Sequence, residues 1–135
     1  MANYIEWLDA YSVGVQDFDN DHKTLIELAN RVLMGVHEGR DQKALADVLD
    51  ELIDYTVQHF GKEEQMMRMT GYPNYQQHRE IHDELTRRVL RYANDARHER
   101  ISPVEVAEFL IDWLMDHIQY QDAAYGEHFH AHGIR

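Results

Sequence analysis

Residues 76–93 read QQHREIHDELTRRVLRYA, and the placing of His78 and His82 in that run decides the fold. The run reads as a helix. Four residues turn an α-helix by roughly 400°, so the two histidines lie on one side of it. That side also carries Leu85, Val89, Tyr92 and Ala96. The pair therefore points toward a core, where an imidazole's lone pair or N–H has to find a partner. A helix with such a face must be covered by others, and the rest of the chain repeats the same period.

Upstream, His22, Leu25, Ala29 and Val32 recur at helical spacing in a segment placed at 19–38, which stops near Gly39. Asp41 is a candidate cap for the next helix, 42–70, along which Leu45, Val48, Leu52, Thr56, His59 and Glu63 follow at intervals of three or four until Gly71 and Pro73. Asn74 opens the third helix, 74–97. Ser102, Pro103 and Glu105 form a capping-box signature for the fourth, 103–125, whose inward stripe is Val106, Phe109 or Leu110, Trp113, Leu114 and His117. Residues 1–17 read as an irregular arm. Connections are short and nothing alternates with the period of a strand. The fold class expected is all-α: one domain over 1–135, an antiparallel up-down four-helix bundle with an N-terminal arm.

Composition narrows the function. A chain of 135 residues supports one hydrophobic core. Its net charge of −12, with Lys and Arg scattered, disfavours a phosphate backbone as partner, so no nucleic acid is expected. No apolar run reaches the roughly 20 residues of a membrane span, and residues 1–12 lack the pattern of a secretory signal. A cytoplasmic monomer is expected. The absence of cysteine removes disulfides, thiolate metal sites and cysteine nucleophiles, whereas ten histidines direct attention to imidazole chemistry.

Each of the four helices brings such groups inward: His22; His59 and Glu63; His78 and His82; His117 and Asp122. Buried groups of this kind are normally paired or bound to metal, and imidazole with carboxylate suits iron, manganese or zinc. One spacing is awkward. His117 and Asp122 are five apart, about 140° around an ideal helix, and a π-type turn near Ile118 to Gln121 is expected to bring them together. The number of donors exceeds a tetrahedral site. Five imidazoles, two carboxylates bridging two ions and a bridging oxo or hydroxo fill all but one position of a pair of octahedral metals.

With His22 in DNDHKTL, His59 and Glu63 in HFGKEE, His78 and His82 in HREIH, and His117 and Asp122 in HIQYQD, the chain resembles the hemerythrin family, and its single-domain bacterial members in particular. Trp7 and VGV in the arm and GYP before the third helix extend the likeness over nearly the whole chain. The resemblance implies a non-haem di-iron centre that binds dioxygen reversibly. His78, His82 and His117 would hold one iron and His22 and His59 the other, with Glu63 and Asp122 bridging and the open position on the second iron. It further implies an apolar oxygen pocket at Leu25, Phe60, Trp113, Leu114 and Ile118. Asp21 departs from the family, which often has an uncharged or longer side chain before this histidine. His37, His98, His128, His130 and His132 match no ligand; His37 and His98 are expected in solvent, and EHFHAH is expected to be a polar terminus.

HREIH is not the zincin HExxH, since its glutamate comes one place late. Asp17, Asp19 and Asp21 imitate half of a calcium loop, but His22 stands where the glycine belongs. A di-iron oxidase or peroxidase on the same fold is the stronger alternative, as is oxygen or iron sensing. Five neutral imidazoles with two carboxylates stabilise highly oxidised iron less than carboxylate-rich sites do, and no second domain is apparent, so oxygen binding without turnover is expected. An oxygen-accepting partner is left unidentified.

Overall fold

The computed structural model describes residues 5–39 and 41–135; of the side chains of Val36, His37, Gln42, Tyr120, Gln121 and Ala123 nothing is described, so the expectation for His37 lies outside it. The described chain is all-helical: α1 Gln16–His37, α2 Gln42–Thr70, α3 Tyr75–Arg97, α4 Pro103–Asp116, a π-helical turn His117–Asp122, and α5 Ala123–Ala131. Short connections force successive long helices to run antiparallel, and α4 closes the bundle against α1. No helix among the described residues is long and apolar enough to cross a membrane.

Local chemistry sets the helix ends. Asp41 accepts a hydrogen bond from the Ala44 N–H at 2.8 Å and caps α2, which stops at Gly71 in the left-handed region at φ 66. Ser102 and Glu105 make the reciprocal capping box of α4. Asn74 precedes α3 without a side-chain cap bond. Helix α1 begins three residues before the expected 19. Asp19 lies inside it, with its carboxylate turned back to accept from Ser12 Oγ at 2.5 Å and Val13 N at 2.8 Å, so the arm is tied down and Phe18 is buried.

Two packed regions result. The larger runs along the bundle through Leu25, Val32, Leu49, Leu52, Leu85, Val89, Val106 and Leu110. The smaller joins the arm to the far end: Val13, Val15 and Phe18 pack with Met67, Tyr72, Ile118, Tyr125 and Phe129. The final segment is therefore no polar terminus. It continues as α5 to Ala131, because Tyr125 and Phe129 are fully buried and supply an apolar side invisible in a tail scanned for histidines. His128 donates to the Thr70 carbonyl at 3.1 Å and His130 to the Gly14 carbonyl at 2.5 Å, while His98 is exposed near the end of α3. A Cβ on Gly126 would stand 2.3 Å from the Val13 carbonyl oxygen, so only glycine lets the arm lie this close to α5.

Candidate metal centre

His22, Thr56, His59, Glu63, His78, His82, His117 and Asp122 form a polar band across an otherwise apolar interior, each no more than 4 % exposed. The π-helical turn His117–Asp122 supplies the missing alignment. One extra residue in that turn brings the fifth position round, leaving His117 Nε2 only 2.9 Å from Asp122 Oδ1. Among the described residues, the donors fall into two groups whose ligating atoms all lie within 4.8 Å of one another: Glu63, His78, His82, His117 and Asp122, and His22, His59, Glu63 and Asp122.

Both carboxylates belong to both groups, and their oxygens divide the work. Glu63 Oε1 lies 3.5 Å from His82 Nε2, while Oε2 lies 3.4 Å from His59 Nε2. Asp122 Oδ1 lies 3.1 Å from His78 Nε2, while Oδ2 lies 3.3 Å from His22 Nε2. Each acid thus spans a three-imidazole cluster and a two-imidazole cluster.

Around these donors, further groups fix which nitrogen faces inward. His59 Nδ1 donates to Asp21 Oδ2 at 2.7 Å, and Lys62 Nζ and the Tyr55 hydroxyl donate to the same carboxylate at 2.7 and 2.9 Å. His82 Nδ1 donates to Glu64 Oε2 at 3.0 Å. These bonds turn Nε2 of both rings toward the centre, where a cation would take the lone pair in place of any proton held there. The buried Tyr125 hydroxyl donates to Glu63 Oε2. None of Tyr55, Lys62, Glu64 or Tyr125 emerged from the sequence. Glu64 directly follows Glu63, yet adjacent helical residues point apart, and only the packing of α2 on α3 brings it to His82.

The electrostatics follow from burial and proximity. Burial pushes the His59 imidazole down, but Glu63 and the Asp21 hydrogen bond overcome it and hold its proton up to about 10. Burial lowers His82 to about 3, helped by the neighbouring His117 and His78. Glu63 and Asp122 resist the upward push of burial because the surrounding imidazoles favour their ionised forms. Burial and the two acids hold the Tyr125 phenol well above its ordinary value, so it remains a donor.

These residues fit a metal pair. Nε2 of His59 and His22 face each other at 2.9 Å, and those of His82 and His117 at 3.0 Å. Cis donors on an octahedral ion with bonds of about 2.1 Å lie about 3.0 Å apart, so the spacing matches a shared cation. Glu63 Oε1, Asp122 Oδ1, His78 Nε2 and His22 Nδ1 are buried without a hydrogen-bond partner, although buried polar atoms are nearly always satisfied. The first three face the three-imidazole cluster, where a cation would supply the missing partner.

The apolar residues named around the centre fall into two groups. Leu25, Leu114 and Ile118 line a cavity of about 10 Å³, at the threshold for one water molecule, together with Ile5, Ile26, Ala29, Ile111 and Met115. Phe60 and Trp113 do not line it. Their flat rings stack on imidazoles instead, Phe60 on His82 with centroids 3.7 Å apart and Trp113 on His117 at 4.4 Å.

A helical bundle with two histidine-carboxylate clusters sharing both acids defines a metal-binding helical domain. Residues 13–128 match the family model of the hemerythrin HHE cation binding domain. A bacteriohemerythrin of Pseudomonas paraeruginosa is 35 % identical over 122 residues, covering 90 % of this chain and 79 % of its own. A myohemerythrin of Sipunculus nudus is 29 % identical over 121 residues, 88 % of each chain. The crystal structure of a wild-type hemerythrin superposes with a TM-score of 0.85 at 28 % identity, over 93 % of this chain and 97 % of that one. The chain belongs to the hemerythrin family.

Proposed function

We propose that the protein binds dioxygen reversibly at a non-haem di-iron centre, for oxygen carriage, storage or supply, and does not turn it over. The observation that carries this reading is the unequal division of five imidazoles between two clusters bridged by the same two acids. His78, His82 and His117 would hold one iron and His22 and His59 the other, with Glu63 and Asp122 spanning both beside a bridging oxo or hydroxo. When bound, such an iron pair supplies the redox chemistry of reversible dioxygen binding.

The chain's own residues supply the rest. Asp21 and Glu64 orient His59 and His82 through Nδ1 and raise the basicity of the inward nitrogens. Tyr125 offers its proton to Glu63 Oε2 and steadies that acid. Leu25, Leu114 and Ile118 leave an apolar, narrow space one helical turn or less from His22 and His117, and exclusion of water would protect a reactive ligand from hydrolysis and proton leakage. The small number of carboxylates supports binding over oxidation. Metal content and the visible spectrum, recorded through cycles of air and vacuum, test the proposal. Two irons per chain and a reversible spectral change are expected. Steady oxygen consumption with an added donor, and no recovery of the gas under vacuum, would replace it with an oxidase.

A further inference from the structure

The apolar cavity has an unusual outer wall. Of its lining residues, Leu25, Ile26, Ala29, Ile111, Leu114 and Ile118 are buried, and only Ile5 and Met115 are partly exposed, so its mouth lies between these two. Met115 belongs to α4, inside a regular helix. Ile5 belongs to the arm, outside any helix; it packs against the core, and among the described residues one side chain binds its backbone. Asn30 on α1 accepts from the Ile5 N–H through Oδ1 at 2.9 Å and donates through Nδ2 to the Ile5 carbonyl at 2.8 Å. An amide that satisfies both backbone groups of a residue 25 positions away fixes that residue's position as a strand partner would. Further along the arm, Trp7 lies under the Lys23 ammonium at 5.2 Å and edge-on to Tyr11, so among the described residues the backbone of Ile5 is held by the Asn30 clip.

We propose that the Asn30–Ile5 clip is a gate for small apolar gases: closed, it keeps Ile5 across the cavity mouth, and its opening admits a diatomic molecule to the space beside Leu114 and Ile118. This rests on the oxygen-binding reading for its physiological gas, but the gate itself is a property of the apolar wall. A gate restrains entry and exit alike. Loosening it therefore accelerates both and leaves affinity alone, unlike a change in the metal ligands.

The test uses the iron-loaded, reduced protein and Asn30→Leu, which removes both hydrogen bonds and suits a helix. Loss of two hydrogen bonds of ordinary net strength raises the open population about 30-fold. Hydrogen exchange of the Ile5 amide is expected to quicken by about that factor. Stopped-flow association and dissociation of dioxygen are expected to quicken together, with their ratio unchanged. Ile5→Ala keeps the backbone bonds and removes the wall, so it speeds entry without faster amide exchange, and it serves if Asn30→Leu misfolds. Nitric oxide, which binds reduced iron whether or not dioxygen is held reversibly, is the second probe. Faster nitric oxide entry in a protein that does not return dioxygen upholds the gate and overturns the oxygen reading. Unchanged gas entry in both variants, or a shift in affinity with no change in entry rate, overturns the gate.

Discussion

Tyr125→Phe removes one oxygen atom from a fully buried ring and takes the phenol donor from Glu63 Oε2, leaving it the longer contact to His59 Nε2 at 3.4 Å. The void left by a hydroxyl is smaller than a methyl group, so the cavity contribution is small and the hydrogen bond dominates. A hydrogen bond to an ionised acceptor contributes about 1.5–3 kcal/mol, and Glu63 is ionised and buried, so a loss of about 2 kcal/mol is expected for the metal-free protein. At this chain length that corresponds to a fall in Tm of roughly 5–10 °C. Urea unfolding followed by circular dichroism measures it. With metals bound, Glu63 gains cationic partners on both oxygens, and the same substitution is expected to cost less than about 1 kcal/mol. In a Glu63→Met background the phenol is itself left unpaired, and Tyr125→Phe is expected to be neutral or stabilising. An undiminished loss in that background would refute the argument, since the phenol's contribution would then lie elsewhere.

Three further outcomes are expected. His82→Ala removes a donor shared with Glu63 and His117 and should lower iron from two ions per chain, read by elemental analysis with circular dichroism as a check on folding. Asp21→Asn weakens the partner of His59 Nδ1 and should reduce metal affinity about 10- to 100-fold, measured by competition with a chelator. Leu114→Ala enlarges the cavity; it should cost about 2–5 kcal/mol in unfolding experiments, retain iron, and hasten loss of the reduced state in air. Unchanged autoxidation would deny Leu114 a sealing role.

The sequence by itself determined the helices and which residues lie on their inner sides. Periodicity is an angular property of one helix, legible from a single strand of text: His78 and His82 share a side with Leu85 and Val89, Asp41 and Ser102 cap, and the five-residue interval from His117 to Asp122 demands the π-helical turn now seen. The extent of α5 escaped, because the signal in 126–132 is one buried aromatic and a close-packed glycine among polar residues. Only the tertiary structure decided distances between helices. From residue spacing alone nothing says that Glu63 divides its oxygens between His82 and His59, that Glu64 reaches His82, that Tyr125 finds Glu63 across 62 positions, or that Trp113 stacks on His117 rather than facing the cavity. Those facts depend on how far and at what angle whole helices approach, which is set by the summed fit of apolar side chains along the bundle and by no single stretch of chain.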